Sequence, residues 1–270
     1  MLADWQRRNY AIVPSYGSNN MGSDVYFAAA ESIMTQDLDL RLLADTSGRE
    51  TEGGLPTWAP DWSYPALCID KDFWNHFEAG AGRRAQVEVL QVKRELKLCG
   101  CMVDVIKLVG SSDEGGDVSD TLAASQALFV GSSQLANDLC GLNSYYRTLT
   151  LDTWSSISDP NADPEYLKNE WSLILDWHSK KTNSFGREIL GWRFFVSDNA
   201  SPGMATKNAE PRDMVFLPWG SKMPFAVRRF GDQADRYQII GLYYLHGMMY
   251  GEVVSLDMEG KMKSEYMYLV

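Results

Sequence analysis

The last third of the chain consists of short apolar segments separated by glycine turns, and this pattern restricts the possible folds more than any other feature. Apolar runs of this length, bounded by turn residues, are typical of β-strands. The predicted strands are Trp192–Val196, Met214–Leu217, Phe225–Arg228, Tyr237–Leu245 and Glu252–Leu256. Five short strands in succession predict an antiparallel arrangement, because so few residues join one strand to the next.

An earlier segment, residues 86–109, has a long β signal whose alternation slips near Gly100, as it does at a bulge or sharp bend. Together with the later strands it predicts an α+β fold: a curled antiparallel β-sheet or small β-barrel, with an N-terminal helix and a helical insertion. A single domain over 1–270 is expected. Its parts are an N-terminal helix and extended Trp/Pro segment (1–84), a β-rich core (85–110 and 191–270) and the helical insertion (111–190).

The N-terminal part combines three local patterns. Apolar residues at helical spacing predict a helix over 23–35, and the alternation over 37–43 predicts a short half-buried strand. The segment LPTWAPDWS (55–63) contains two prolines that disfavour both a helix and a central strand. It is expected to be extended and rigid, with Trp58 and Trp62 as anchors.

Charge and composition exclude several classes of function. The chain has 270 residues with 36 acidic and 25 basic side chains, a formal net charge of −11 that repels the phosphate backbone of nucleic acids. A secretory signal and a membrane-spanning apolar run are both missing from the sequence. Its four cysteines are therefore expected to be reduced. These features predict a cytoplasmic protein without membrane insertion.

Few residues offer catalytic chemistry. His246 and Glu252 flank a glycine-rich turn and form a general acid–base pair if their side chains meet; otherwise His246 supports the turn. Asp61 lies between two tryptophans, where a carboxylate tends to have a raised pKa, but an aspartate after proline is also common in turns. Cys99 and Cys101 lack the further ligands that a zinc site needs. Without nucleotide-binding or hydrolase motifs, neither a metal nor a cofactor is expected.

Five segments in order resemble motifs of the fungal heterokaryon-incompatibility (HET) family. They are LPTWAPDWS (55–63), LKLCGCMVDVIKLVG (96–110), YYRTL (145–149), PRDMVFLPWGSKMPFAVRR (211–229) and YQIIGLYYLHGMMYGEVV (237–254). Two positions depart from the family pattern: Arg212 replaces the usual glycine, and Tyr250 replaces an acidic residue. The resemblance implies that the TIR-like half, to which cell-death signalling is attributed, is missing here or reduced to a remnant.

What the resemblance implies for function is a HET-like scaffold recruited to fungal secondary metabolism. The expected activity is that of a cofactor-free cyclase or isomerase of Diels–Alder type, which needs a shaped apolar pocket and a few hydrogen-bond donors. The predicted pocket walls are Trp58, Trp62, Trp219, Tyr243 and Met248. The predicted polar groups are Asp61, Arg228, His246 and Glu252, with Arg147 as a further contact.

Two alternatives remain open. In the first, the chain is a non-enzymatic module of fungal incompatibility, and the same motifs only determine the fold. In the second, it carries a hydrophobic metabolite without changing it. The enzymatic interpretation and the carrier interpretation both predict a small apolar ligand as partner, whereas the incompatibility module does not.

Overall fold

The computed structural model describes residues 22–46, 54–63, 71–110, 118–132, 139–152, 166, 169 and 192–270. Its helices are α1 (Gly22–Gln36), a 3-10 helix (Leu40–Thr46), α2 (Lys71–His76), α3 (Val118–Ser132), α4 (Leu139–Leu149) and α5 (Glu252–Met258). Its strands are β1 (Val87–Leu90), β2 (Glu95–Val109), β3 (Trp192–Ser197), β4 (Pro202–Thr206), β5 (Met214–Pro218), β6 (Phe225–Arg229), β7 (Arg236–Leu245) and β8 (Ser264–Leu269).

The eight strands form one sheet that curls into a ring. Six strands follow the order β2-β3-β4-β7-β6-β5, and β5 pairs again with β2. Strands β1 and β8 pair with β2, and β8 also makes a short parallel pairing with β7. Every other pairing is antiparallel. The predicted α+β class with a curled antiparallel sheet is confirmed, as a ring rather than a strict barrel.

Strand β2 can pair with so many neighbours because it is long and irregular. Its register shifts between Met102 and Asp104 against β5, and between Ile106 and Leu108 against β3. Such irregularities bend a strand and increase its twist. The slip predicted at Gly100 therefore lies further along the strand. At Gly100 itself the backbone is in close contact with β5, since an added Cβ would lie 2.2 Å from the carbonyl oxygen of Leu217.

Alternation along the strands divides the core into two clusters. The outer cluster includes Leu242 and Tyr244 of β7 and is covered by α1, the 3-10 helix, α3 and α4. The inner cluster includes Tyr243 and Leu245 of the same strand and consists mostly of strand residues, with two valines of α5. Because successive side chains of a strand point to opposite faces, the inner cluster fills the inside of the ring.

Several local predictions were wrong. The alternating segment 37–43 leads into the 3-10 helix, and the run Glu252–Leu256 belongs to helix α5. Short apolar runs do not separate helix from strand, and here the left-handed backbone of Gly251 (φ 98°) turns the chain into the helix. Strands β4 and β8 were not predicted. Most of the predicted insertion between 153 and 191 lies outside the described residues.

Candidate functional site

Polar and aromatic side chains converge where α2, α4 and β7 end and the turn before α5 begins. We call this group the His246 cluster; its members are His76, Arg147, Asp152, Tyr244, His246 and Tyr250. Each is linked to another member by a hydrogen bond or by an electrostatic interaction. The sequence places them far apart, and the ring topology brings them together.

An ion pair between Arg147 and Asp152 anchors the cluster. Helix α4 ends at Leu149, and the left-handed backbone of Leu151 and Asp152 (φ 50° and 58°) turns the chain back toward the helix. The Asp152 carboxylate then accepts hydrogen bonds of 2.7 Å from both Nε and Nη2 of Arg147. Asp152 is 5% exposed, so solvent screens this two-bond pair only weakly.

His246 lies beside this pair, directly after β7. Its backbone N–H donates to the carbonyl oxygen of Pro202 in β4, a 3.1 Å bond that fixes the residue's position. The side chain is half-buried, and its Nδ1 is buried without a hydrogen-bond partner. Burial, and secondarily the positive charge of Arg147, lower the pKa of His246 to about 4. The imidazole is therefore uncharged at neutral pH and has one unused hydrogen-bonding position.

Tyr250 forms the open side of the cluster. Its side chain is 46% exposed, and its hydroxyl interacts with the Asp152 carboxylate and lies 3.4 Å from Nε2 of His76. Burial and the Asp152 charge raise the pKa of Tyr250, so the phenol stays protonated. The same His76 nitrogen lies 3.1 Å from the backbone carbonyl of Asp152. Phe77 contacts the rings of both Tyr244 and Tyr250, with centroids 6.0 and 6.2 Å apart.

The other predicted polar residues lie elsewhere or have different partners. The Glu252 carboxylate accepts a 2.7 Å hydrogen bond from the backbone N–H of Tyr250, whereas the charges that act on His246 are those of Arg147 and Asp152. The structure thus pairs His246 with α4 rather than with Glu252. The Asp61 carboxylate accepts hydrogen bonds from the backbone and hydroxyl of Ser63, as in an aspartate turn.

Arg228 is tied into a separate network on β6. Its Nε and Nη2 bind the Asp213 carboxylate at 2.7 and 3.0 Å. Nη2 also donates to the Asn208 carbonyl at 3.0 Å, and Nη1 lies 3.1 Å from a Glu210 carboxylate oxygen. All three nitrogens of this guanidinium are engaged.

The predicted pocket walls do not surround one space. Trp58 is fully buried in the outer cluster, where its indole N–H donates to the Arg94 carbonyl at 2.9 Å. Trp62 is 38% exposed and meets Tyr26 edge to face. Three more predicted walls belong to the inner cluster or pack against it: Trp219, Tyr243 and Met248. Of the predicted site residues, the structure brings together Arg147 and His246.

Sequence reasoning missed Asp152 and Tyr250 as partners of these two residues. Asp152 follows Arg147 by five positions, a spacing at which side chains on a continuing helix do not meet. Only the left-handed turn makes the pair possible, and the sequence TLTLD contains no glycine to signal it. Tyr250 was visible as a departure from the HET pattern, which was the one available signal.

No group of three or more metal-ligand side chains occurs among the residues that the structure describes. Cys99 and Cys101 both lie in the inner cluster as free thiols, and burial raises the pKa of Cys101 to about 11. Thiols with raised pKa values are poor nucleophiles at neutral pH. Within the described ranges, none of the helices has the length and apolar composition needed to cross a bilayer.

Comparisons with known proteins add no relatives to this picture. Neither a protein-family model, nor a curated protein, nor a solved structure matches the chain. Its function must therefore be argued from the geometry of the His246 cluster.

Proposed function

We propose that the chain is a HET-like scaffold that binds a small, largely apolar metabolite at the His246 cluster. There it acts as a cofactor-free cyclase or isomerase of the pericyclic, Diels–Alder type. Such a reaction forms and breaks bonds within the substrate, so the protein needs only to hold a reactive conformer and polarise it. Neither a nucleophile nor a metal takes part.

The observation that carries this proposal is the buried, unpaired Nδ1 of His246 beside the Arg147–Asp152 pair. A buried polar atom without a partner costs about 1–3 kcal/mol, so it needs an explanation. A ligand group that completes the hydrogen bond provides one. Because the imidazole is neutral and desolvated, its hydrogen bond to a substrate is stronger than the same bond in water.

The cluster's parts have separate roles in this proposal. Arg147 is a positioning residue whose geometry is fixed by Asp152, and its charge adds to the effect of burial in lowering the pKa of His246. Tyr250 supplies aromatic surface for the hydrocarbon part of the substrate. Tyr250 is 46% exposed, so a ligand can contact the cluster from solvent on this side.

One local feature supports the HET-like part of the proposal. Arg212 occupies the position where the family pattern has glycine, and its backbone has a φ of 79°. This is the left-handed region that glycine enters without steric cost. The backbone at this position therefore has the conformation that suits the family's glycine, although the residue here is an arginine.

The proposal predicts turnover by the purified chain. With a panel of linear polyenes and diene-bearing terpenoid precursors, at least one member should give cyclised product faster, or with different stereochemistry, than without protein. His246→Phe should lower that rate about a hundredfold, the scale seen when one positioned donor is removed. Tyr266→Phe, at an exposed position on β8, is the matched control and should keep full activity. No change across the panel would remove the enzymatic proposal, and binding without product would favour a carrier.

A non-enzymatic incompatibility module is the second candidate, and the buried tryptophans favour it. Trp58 and Trp219 are 0% and 3% exposed, as expected if the family motifs serve the fold. In this case His246→Phe changes the free energy of unfolding and no turnover is found. Expression of the chain in a fungal host should then trigger cell death, whereas the enzymatic proposal predicts normal growth.

A further inference from the structure

The hydrogen-bonding atoms of the His246 cluster are unequally used. Two nitrogens of Arg147, Nε and Nη2, bind Asp152, and the Tyr250 hydroxyl interacts with the same carboxylate. The hydrogen of Tyr250 is therefore committed inside the cluster. Nδ1 of His246 is the buried position that remains. In the tautomer with hydrogen on Nδ1, it is a single neutral donor, which suits one acceptor oxygen of a ligand.

Charge decides what kind of oxygen fits this donor. The charges of Arg147 and Asp152 cancel within their pair, and the imidazole is uncharged at neutral pH. Glu252, whose charge also acts on Tyr244 and Tyr250, leaves the surroundings slightly negative. A carboxylate or phosphate ligand would meet this negative charge, and the neighbouring cation, Arg147, is already paired with Asp152. A cationic ligand would lose its hydration at a site where burial already disfavours the protonated form of His246.

The aromatic rings of the cluster indicate what the remaining, non-polar part of the ligand is. The Phe77 ring contacts the rings of both Tyr244 and Tyr250 at the edge of the cluster. Tyr244 is 1% exposed and Tyr250 is 46% exposed, so the aromatic surface extends from the core to solvent. Flat apolar groups pack well against such rings. A ligand that enters along Tyr250 thus meets hydrocarbon-binding surface first and the imidazole donor after it.

We infer that the His246 cluster recognises a neutral carbonyl compound, whose oxygen accepts a hydrogen bond from Nδ1–H of His246 while its conjugated hydrocarbon part lies along Tyr250. This inference rests on the proposed function, since it names the substrate class of the same site. It distinguishes conjugated ketones and aldehydes from simple polyenes and from terpenoid acids. A hydrogen bond to the carbonyl of a dienophile also lowers the barrier to cycloaddition, which links recognition to the proposed chemistry.

Three matched ligands test this inference by calorimetric titration of the full chain. They are benzalacetone, the hydrocarbon in which a methylene replaces its carbonyl, and cinnamate. One additional neutral hydrogen bond should make benzalacetone bind about five- to tenfold more tightly than the hydrocarbon. Cinnamate should bind more weakly than benzalacetone. Nuclear magnetic resonance of histidine-labelled protein should show the His246 imidazole signal moving when the ketone binds.

Two variants test the role of His246 directly. His246→Phe keeps a ring but removes Nδ1, so the ketone and the hydrocarbon should then bind with about equal affinity. His246→Asn places an amide nitrogen near the position of Nδ1 and should restore part of the preference; it also serves if the phenylalanine variant fails to fold. Equal binding of ketone and hydrocarbon, tighter binding of cinnamate, or no binding of any ligand overturns the inference.

The outcome is separable from that of the proposed function. A ketone preference that depends on His246, without turnover of any diene, supports the carbonyl site and removes the cyclase. Turnover of simple polyenes without a ketone preference keeps the cyclase and overturns the carbonyl site.

Discussion

Two arginine–aspartate pairs in this protein look alike and differ in what surrounds them. Arg228–Asp213 and Arg147–Asp152 are both two-bond pairs with a nearly buried carboxylate. In the first, every guanidinium nitrogen is engaged, and Asp213 also accepts from the backbone N–H of Glu210 at 2.8 Å. In the second, Nη1 takes no part in the pair, and a neutral histidine with an unpaired nitrogen lies beside it.

The comparison teaches that hydrogen-bonding partners distinguish the two roles. A structural ion pair has partners for its polar groups, whereas a candidate site contains a polar atom without one. Both arginines were predicted as site residues because a cation near an apolar pocket suits either role. The first network joins the segment before β5 to β6, and protein groups engage all three nitrogens of its guanidinium. The second leaves Nδ1 of His246 without a partner, beside aromatic rings that reach solvent at Tyr250.

The largest expected effect is the loss of stability when the satisfied pair is broken. Asp213→Ala leaves Arg228 without its main partner and the backbone N–H of Glu210 without its acceptor. Because the carboxylate is buried while Arg228 is about one-third exposed, losing these charged hydrogen bonds should cost about 3 kcal/mol of the free energy of unfolding, measured by urea denaturation. Asp232→Ala, in the exposed turn after β6, is the control and should change the free energy by less than about 0.5 kcal/mol. A loss below about 1 kcal/mol for Asp213→Ala contradicts the structural role.

The second prediction concerns the pH dependence of the free energy of unfolding and the part of it that comes from His246. The pKa of His246 in the folded protein, about 4, lies below the ordinary value of 6.5. As the pH falls, the unfolded chain binds this proton first. The stability from His246 is therefore complete above pH 6.5 and is lost as the pH falls toward 4, by about 2–3 kcal/mol.

Asp45 in the 3-10 helix opposes this effect. Burial, together with the Asp39 charge and against the Arg41 charge, raises the pKa of Asp45 from 3.8 to about 6. The folded protein now binds the proton more tightly, so this contribution is complete below pH 3.8 and is lost as the pH rises to about 6. In the wild-type chain the two contributions largely cancel between these limits.

Substitution separates the two protons. Asp45→Asn should reveal the His246 slope, with stability falling by about 2 kcal/mol as the pH is lowered from about 6.5 to 4.5. His246→Asn should reveal the opposite slope of Asp45, and the double variant should be flatter than either single variant. Urea denaturation at a series of pH values measures all three. If the Asp45→Asn variant loses no stability between about pH 6.5 and about pH 4.5, the neutral, buried state of His246 is wrong.

Sequence patterns predicted the sheet better than the site, for a physical reason. The strands from Trp192 onward bury one or both faces, and alternation and glycine turns report such burial directly. The site depends on the end of α4, where Leu151 and Asp152 adopt left-handed backbones without glycine, and on the ring closing through β2. Local sequence patterns report neither this left-handed turn nor the closure of the ring. His246 and Arg147 were recognisable as residue types, but their proximity is a property of the topology.

The last and smallest prediction compares the two buried polar atoms that lack partners. Besides Nδ1 of His246, the hydroxyl of Tyr243 has no hydrogen-bond partner among the described residues. Tyr243 is 0% exposed, and its ring lies 4.3 Å from that of Phe195. Burial, together with the charges of Asp213 and Asp104, raises the pKa of Tyr243, so the hydroxyl stays protonated without an acceptor.

If an unpaired atom is useful only where a ligand can reach it, the Tyr243 hydroxyl is a cost to the fold. Tyr243→Phe should then stabilise the protein by about 1 kcal/mol and leave ketone binding unchanged. Tyr145→Phe is the matched control. Its hydroxyl lies 2.7 Å from the buried Ser125 hydroxyl, so this substitution should destabilise by about 1 kcal/mol. If Tyr243→Phe instead abolishes the ketone preference, the ligand lies inside the ring and not at His246. Only a ligand bound inside the ring could contact the Tyr243 hydroxyl.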